Sequence, residues 1–172
     1  IALLVTLICV VLAYPVAWAI AKVVNPKRRS LYMMAVIMPF FISQLLLIYA
    51  MINLIQSGGI LMTVLSALGF ETKSILYTNS ATILVLVYEF LPYMILCLYS
   101  SLESIDNNVI QASHILGANW AKTFTNIVFP MSVPGLLSGI LLVFVPTAGT
   151  FMEPDLVGGS NGMMVGSMIN TQ

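Results

Sequence analysis

Four long apolar runs constrain this chain more than any other feature. Residues 1–21, 31–55, 80–101 and 131–149 each approach or exceed the ~20 residues that a helix needs to cross a bilayer core of about 30 Å. Only 7% of residues are charged, against roughly 25% in soluble domains. The mean hydropathy of +1.04 points the same way, because so little polar surface cannot clothe a globule in water. A backbone in lipid must satisfy its own hydrogen bonds, and a run of ~20 residues does so as a helix. The expected fold class is an all-α membrane protein, a bundle of transmembrane helices.

The remaining composition excludes several function classes. Formal net charge is zero, so no global field points to nucleic acid. Cys9 and Cys97 both lie inside apolar runs and read as small buried side chains rather than a disulfide. His114 is the sole histidine and has no cysteine or histidine cluster around it, so no metal set is expected. The opening "IALLVTLICV" carries neither an initiator Met nor a basic leader, and the run passes Trp18 without a small-residue cleavage pattern. The chain therefore reads as one transmembrane domain, 1–172, cut from a longer protein and lacking terminal helices.

Charge sets the expected orientation. Lys22, Lys27, Arg28 and Arg29 follow the first run, Lys122 lies between the third and fourth, and only Lys73 falls between the second and third. Five of the six basic residues thus share one side, and the positive-inside rule makes loops 22–30 and 102–130 cytoplasmic. Segments 56–79 and 150–172 become outer loops, the first holding "GGILMTVLSALGF" as a short interfacial helix. Tyr14, Trp18 and Lys22 share a helix face, and the last two read as interface anchors. Gly135, Ser138 and Gly139 form a small-residue face for close helix packing, and Pro146 kinks the same helix.

Segment 111–130, "QASHILGANWAKTFTNIVFP", is amphipathic where its surroundings are not. Asp106 is an N-cap for a helix that Gly117 stops, and Asn119 caps a second short helix running to Pro130. Val109, Ala112, Leu116, Trp120, Phe124 and Ile127 recur at spacings of three and four, giving one apolar stripe. Such a helix–Gly–helix suits docking into a groove on another protein or resting on lipid headgroups. Lys122 is its only cation, fewer than a headgroup binder would carry.

The spacing Gln111-Ala112-Ser113, Gly117, Ile127-x-Phe129-Pro130 resembles the EAA loop of the ABC-importer permeases, E-A-A-x3-G-x9-I-x-L-P. Ala112, Gly117, Ile127 and Pro130 match in identity, whereas Gln111 replaces the family's Glu, Ser113 its second Ala and Phe129 its Leu. "YPVAWAIAK", "MPFFISQLLLIYA", "LPYMILCLYSSLESID" and "GTFMEPDLVGG" are similar to segments of B-type spermidine/putrescine permeases, and relatives for ferric iron, opines and thiosulfate share much of them. The resemblance implies a type I importer permease in a bacterial inner membrane. In it Gln111, Ala112, Ser113, Leu116, Gly117, Trp120, Ile127 and Pro130 form coupling helices seated on an ABC ATPase dimer. It further implies a second permease subunit, alike or identical, and an extracytoplasmic substrate-binding protein.

Polar residues inside the apolar runs mark a candidate pathway. Glu89 stands nine residues into its run, about 14 Å along a helix and so near the midplane, where an ionisable group costs at least ~2.5 kcal/mol. Thr82, Glu89, Tyr93, Cys97 and Ser100 share one stripe, and Pro92 invites a kink beside the carboxylate. A carboxylate among aromatic rings suits a polyamine through charge pairing and cation–π contact, and a structural Glu bonded to a neighbouring helix suits the same pattern. Tyr49, Asn53 and Gln56 form a milder polar stripe, open to translocation or to helix–helix hydrogen bonding. Glu153 and Asp155 place two carboxylates at the outer mouth.

No G-x-x-x-x-G-K-[ST] phosphate loop occurs in the sequence, so ATP and Mg²⁺ are expected on the partner ATPase and no cofactor in this chain. The function expected is a non-enzymatic permease subunit that moves polyamines or a related small cation inward by alternating access. Two other classes fit the same composition: an ion-coupled carrier titrating Glu89, and a membrane scaffold in which Glu89 is structural.

Overall fold

The structure, a computed structural model, describes residues 1–56, 58, 59, 63, 77–150 and 157. The expected interfacial helix within 58–70 falls largely, and Glu153 and Asp155 entirely, outside the described residues. Among the described residues the regular elements are all helical. Three stretches, Ala2–Val23, Asn79–Glu103 and Trp120–Gly149, are long and apolar enough to cross a membrane.

Helix α1 (Ala2–Trp18) continues into a π turn, Ala19–Val23, closed by Val24 N–H donating to the Ala19 carbonyl. Helix α2 (Pro26–Ile37) tightens into a 3₁₀ turn at Met38–Phe41, and α3 (Gln44–Ile55) leaves it at 95°. Run 31–55 therefore reaches spanning length only as this bent pair. Pro39 has no N–H to continue α2, and Ser43, at φ −58° and ψ 134°, is extended before its carbonyl accepts Leu47 N–H to start α3. Hydropathy alone is blind to that break, because both arms are apolar.

Helix α4 (Asn79–Glu103) runs unbroken through Pro92. A hairpin of α5 (Asn107–Ile115) and α6 (Trp120–Thr123) follows, then a π turn at Phe124–Val128 and α7 (Phe129–Gly149). The expected second short helix does not end at Pro130. Residues Trp120–Gly149 form one helical stretch in which α6 is the first turn of the final span. The π turn explains why Pro130 is tolerated: Phe129 N–H reaches back five residues to Phe124, widening the turn where a proline ring would otherwise meet a carbonyl.

The chain divides into two compact units, one formed by Ile1–Val5 with the described parts of residues 38–89 and 144–172, the other by Thr6–Ile37 and Phe90–Val143. In the first, Ile48 and Ile55 of α3 cluster with Ala81 and Val85 of α4 and with Val157, and Tyr77 N–H donates to the Val157 carbonyl at 2.8 Å. In the second, Cys9, Ala13, Ala17 and Ala21, spaced by four, are fully buried, as are Met94, Leu98 and Leu102. That spacing lays one small-residue face along the helix, the type of surface that lets helices approach in lipid.

The small-residue face of α7 behaves as its sequence suggests. A Cβ built on Gly135 would lie 2.5 Å from the Cys97 carbonyl oxygen, and one on Gly139 would lie 2.6 Å from Met94 Sδ, so α4 and α7 meet there almost backbone to backbone. Ser138 bonds its own Pro134 carbonyl at 2.9 Å rather than crossing between helices. On other faces Leu137, Leu141 and Val145 of α7 and Leu3, Leu7 and Val11 of α1 are exposed at spacings of four, which suits contact with acyl chains.

Candidate functional site

The α5–α6 hairpin is specified locally by its caps. Asp106 Oδ1 accepts Asn108 N–H at 2.9 Å, and Asn119 Oδ1 accepts Lys122 N–H at 2.9 Å. Between them the chain turns at Gly117, whose φ of +81° is a left-handed conformation that favours glycine. Ala118 N–H bonds the Ser113 carbonyl and Gly117 N–H the His114 carbonyl, both at 3.0 Å, the paired pattern of a Schellman stop. Both caps and the glycine stop match their sequence signals.

Side chains then tie the hairpin together and to α1. Ser113 Oγ and Thr123 Oγ1 share a buried 2.8 Å hydrogen bond between the two arms, and Ser113 also donates to the Ile110 carbonyl at 2.7 Å. Such a bond contributes about 0.5–1.5 kcal/mol net, and stranding one partner costs about 1–3 kcal/mol. The departure from Ala to Ser at position 113 thus has a structural counterpart in Thr123, which sequence reading passed over.

Trp18 and Lys22 both hold this hairpin. Trp18 meets Trp120 edge-on at 6.2 Å, and Lys22 Nζ donates to the Ile105 carbonyl and, at 3.1 Å, to Asn107 Oδ1. Lys22 therefore satisfies the chain just where it enters α5. Tyr14 packs edge-on against Phe124 at 5.5 Å and shares a 2.8 Å hydrogen bond with Ser132, while Arg29 pairs with Glu103 at 3.6 Å. Aromatic pairs of this geometry add about 0.5–1.5 kcal/mol each beyond their area burial.

These ties divide the expected apolar stripe in two. Phe124 faces α1 and stacks on Trp120 at 5.6 Å, Ile127 is half-buried in the π turn, and Ser113 is buried between the arms. What remains outward is a patch around the Gly117 turn: Ile115 is 86% exposed, Leu116 87% and Trp120 61%, with Gln111, Ala112 and Gly117 also exposed. Pro130 is exposed but stands in the spanning helix beyond the π turn. Ile115 is absent from the periodic stripe, and its place immediately before a glycine stop was the available signal.

The candidate pathway residues lie on two helices, α3 and α4. Glu89 and Tyr93 lie one turn apart on α4, both half-buried, and Glu89 Oε2 is shielded from solvent. Farther along, Cys97 and Ser100 line an open groove of about 390 Å³ with Ser101, Pro134, Gly135 and Ser138. Tyr49 and Asn53 are exposed on α3. Asn53 Nδ2 donates to the Tyr49 carbonyl at 2.9 Å, and Gln56 Nε2 donates to Asn53 Oδ1 at 3.1 Å, so both amides bond locally. No group of three metal-ligating side chains occurs among the described residues.

Comparison with known proteins agrees with this architecture. Residues 6–172 match the family described as binding-protein-dependent transport system inner membrane component. The spermidine/putrescine transport system permease protein PotB of Haemophilus influenzae is 39% identical over 169 residues, covering 97% of this chain and 59% of that protein. PotB of Escherichia coli is 40% identical over 173 residues, covering 99% and 62%. The inner membrane ABC transporter permease protein YdcU of Escherichia coli is 31% identical over 184 residues, covering 99% and 58%. The chain thus spans about three fifths of the length of these relatives. With a family match over residues 6–172, span-length helices and no strand among the described residues, this chain belongs to the inner membrane components of binding-protein-dependent transport systems.

Proposed function

We propose that this chain is a transmembrane permease subunit of an ATP-driven importer that moves a polyamine, or a related small cationic solute, inward by alternating access. In this reading the Gly117 hairpin is cytoplasmic and seats on an ABC ATPase dimer that carries ATP and Mg²⁺. A second permease subunit completes the pathway, and an extracytoplasmic binding protein delivers the solute. Family membership and the polyamine permeases among the relatives support the class of substrate.

One observation carries the docking assignment: two large apolar side chains, Ile115 and Leu116, stand almost fully exposed on a hairpin that is otherwise tied down. Burying each in a cleft is worth about 1.5–3 kcal/mol. Gln111, beside them and exposed, offers a neutral hydrogen bond where the family's Glu offers a charge. The same ties make the hairpin a mechanical element. Trp120 opens the Trp120–Gly149 stretch, and Trp18 closes α1, so displacement of the hairpin is delivered to both spans through the Trp18–Trp120 contact and the Ser113–Thr123 bond. Glu89 and Tyr93 would present charge and an aromatic face to a cation in transit.

Co-purification of the full-length protein from its own membrane tests the assignment. Wild type should bring down an ABC ATPase, and Leu116→Asp should lose it while remaining folded and monodisperse. Equal recovery with both proteins would remove the hairpin from the ATPase interface.

A further inference from the structure

A second apolar concavity lies where α1 gives way to its π turn. Val16, Ala19 and Ile20 form one wall and Tyr32, Ala35 and Val36 of α2 the other of an open groove of about 460 Å³. That volume lies within the roughly 300–1,000 Å³ of small-ligand sites. No residue of α2 is fully buried, and its contact with the π turn forms the outer wall of the groove.

Charge distinguishes this groove from an ordinary lipid-facing seam. Arg28, Tyr32, Ala35 and Val36 follow one another at helical spacing, which sets a guanidinium one turn above the apolar wall. Arg29 is occupied, donating from Nε to the Val24 carbonyl at 3.3 Å and pairing with Glu103. Lys22 is likewise engaged with Ile105 and Asn107. Lys27 and Arg28 are exposed and have no ion-pair partner among the described residues. An apolar groove capped by two uncommitted cations at the end of a membrane span complements one molecule in both halves, a lipid with an anionic headgroup.

We propose that this groove binds an anionic phospholipid, one acyl chain lying between the π turn and α2 and the phosphate meeting Lys27 and Arg28. The assignment uses none of the residues of the transport reading and stands apart from it. A bound lipid would brace α2, none of whose residues is fully buried, against the end of α1.

The test uses the full-length protein reconstituted in bilayers of equimolar phosphatidylglycerol and phosphatidylcholine, extracted gently, with retained lipids counted by native mass spectrometry. Wild type should retain phosphatidylglycerol in preference to phosphatidylcholine. A basic residue near an anionic leaflet is worth roughly a fivefold factor, so the double variant Lys27→Gln/Arg28→Gln should lower that preference by about twenty-five-fold. Ala35→Trp, which fills the groove but keeps the cations, should lose the retained lipid of either kind. Equal retention of the two lipids by wild type would overturn the proposal. So would an unchanged preference in the charge variant, or a groove that retains no lipid because another subunit covers it.

Discussion

Gly135→Ala probes a close contact between α4 and α7. The added Cβ would meet the Cys97 carbonyl oxygen at 2.5 Å, whereas ordinary contact begins near 3.4 Å, so α4 and α7 must part locally by about 0.9 Å (3.4 − 2.5). Overpacking of this kind costs about 1–3 kcal/mol, and a backbone carbonyl cannot rotate aside, which favours the upper half of that range. Against it stands a helix-propensity gain of about 1 kcal/mol for replacing glycine. The net loss is about 1–2 kcal/mol, or a fall in Tm of roughly 2–8 °C for a domain of this size. Thermal unfolding of the purified full-length protein in mild detergent reads it directly. Gly149→Ala is the control, because nothing lies within 4 Å of its added Cβ, and it should leave Tm within about 1 °C. Trimming the other near neighbour with Ser101→Ala should restore only part of the loss, since the Cys97 carbonyl stays in place. An unchanged or raised Tm in Gly135→Ala would refute the close-contact reasoning.

Thr123→Val removes one partner of the buried Ser113–Thr123 bond and should loosen the hairpin by about 1–3 kcal/mol. Amide hydrogen exchange would then show faster exchange confined to residues 107–123, and uniform exchange across the protein would contradict the local tie. Glu89→Gln keeps size and removes charge. It should lower uptake of a cationic solute at least tenfold in membrane vesicles while leaving ATPase co-purification intact, and unchanged uptake would assign Glu89 to structure.

Much of this architecture was legible in the residues, for identifiable reasons. Apolar length marked α1, α4 and α7, and the short-range chemistry of Asp106, Gly117 and Asn119 marked the hairpin, because caps and positive-φ stops are decided by neighbours in sequence. Gly135 and Gly139 announced close packing because small residues at helical spacing let helices approach in lipid. The break at Ser43 was hidden because apolar composition continues across it, and the two π turns were hidden because one extra residue barely disturbs hydrophobic spacing. The division of the stripe was beyond periodicity altogether. Helical spacing showed that Leu116, Trp120 and Phe124 share a face, but Phe124 turns inward because Tyr14, distant in sequence, stands opposite it. The contacts of Trp18 and Lys22 were hidden for the same reason, since their partners Trp120 and Ile105 lie far along the chain.

A photo-crosslinking amino acid placed at position 116 of the full-length protein, and irradiated in the native membrane, tests the central claim most directly. Leu116 is 87% exposed at the tip of the hairpin, whereas Phe124 is held against Tyr14 and serves as the matched inward position. The account predicts an adduct from position 116 containing an ABC ATPase, recognisable by the peptide of its phosphate-binding loop, and none from position 124. Adducts from position 116 with lipid alone, or equal ATPase adducts from both positions, would contradict it.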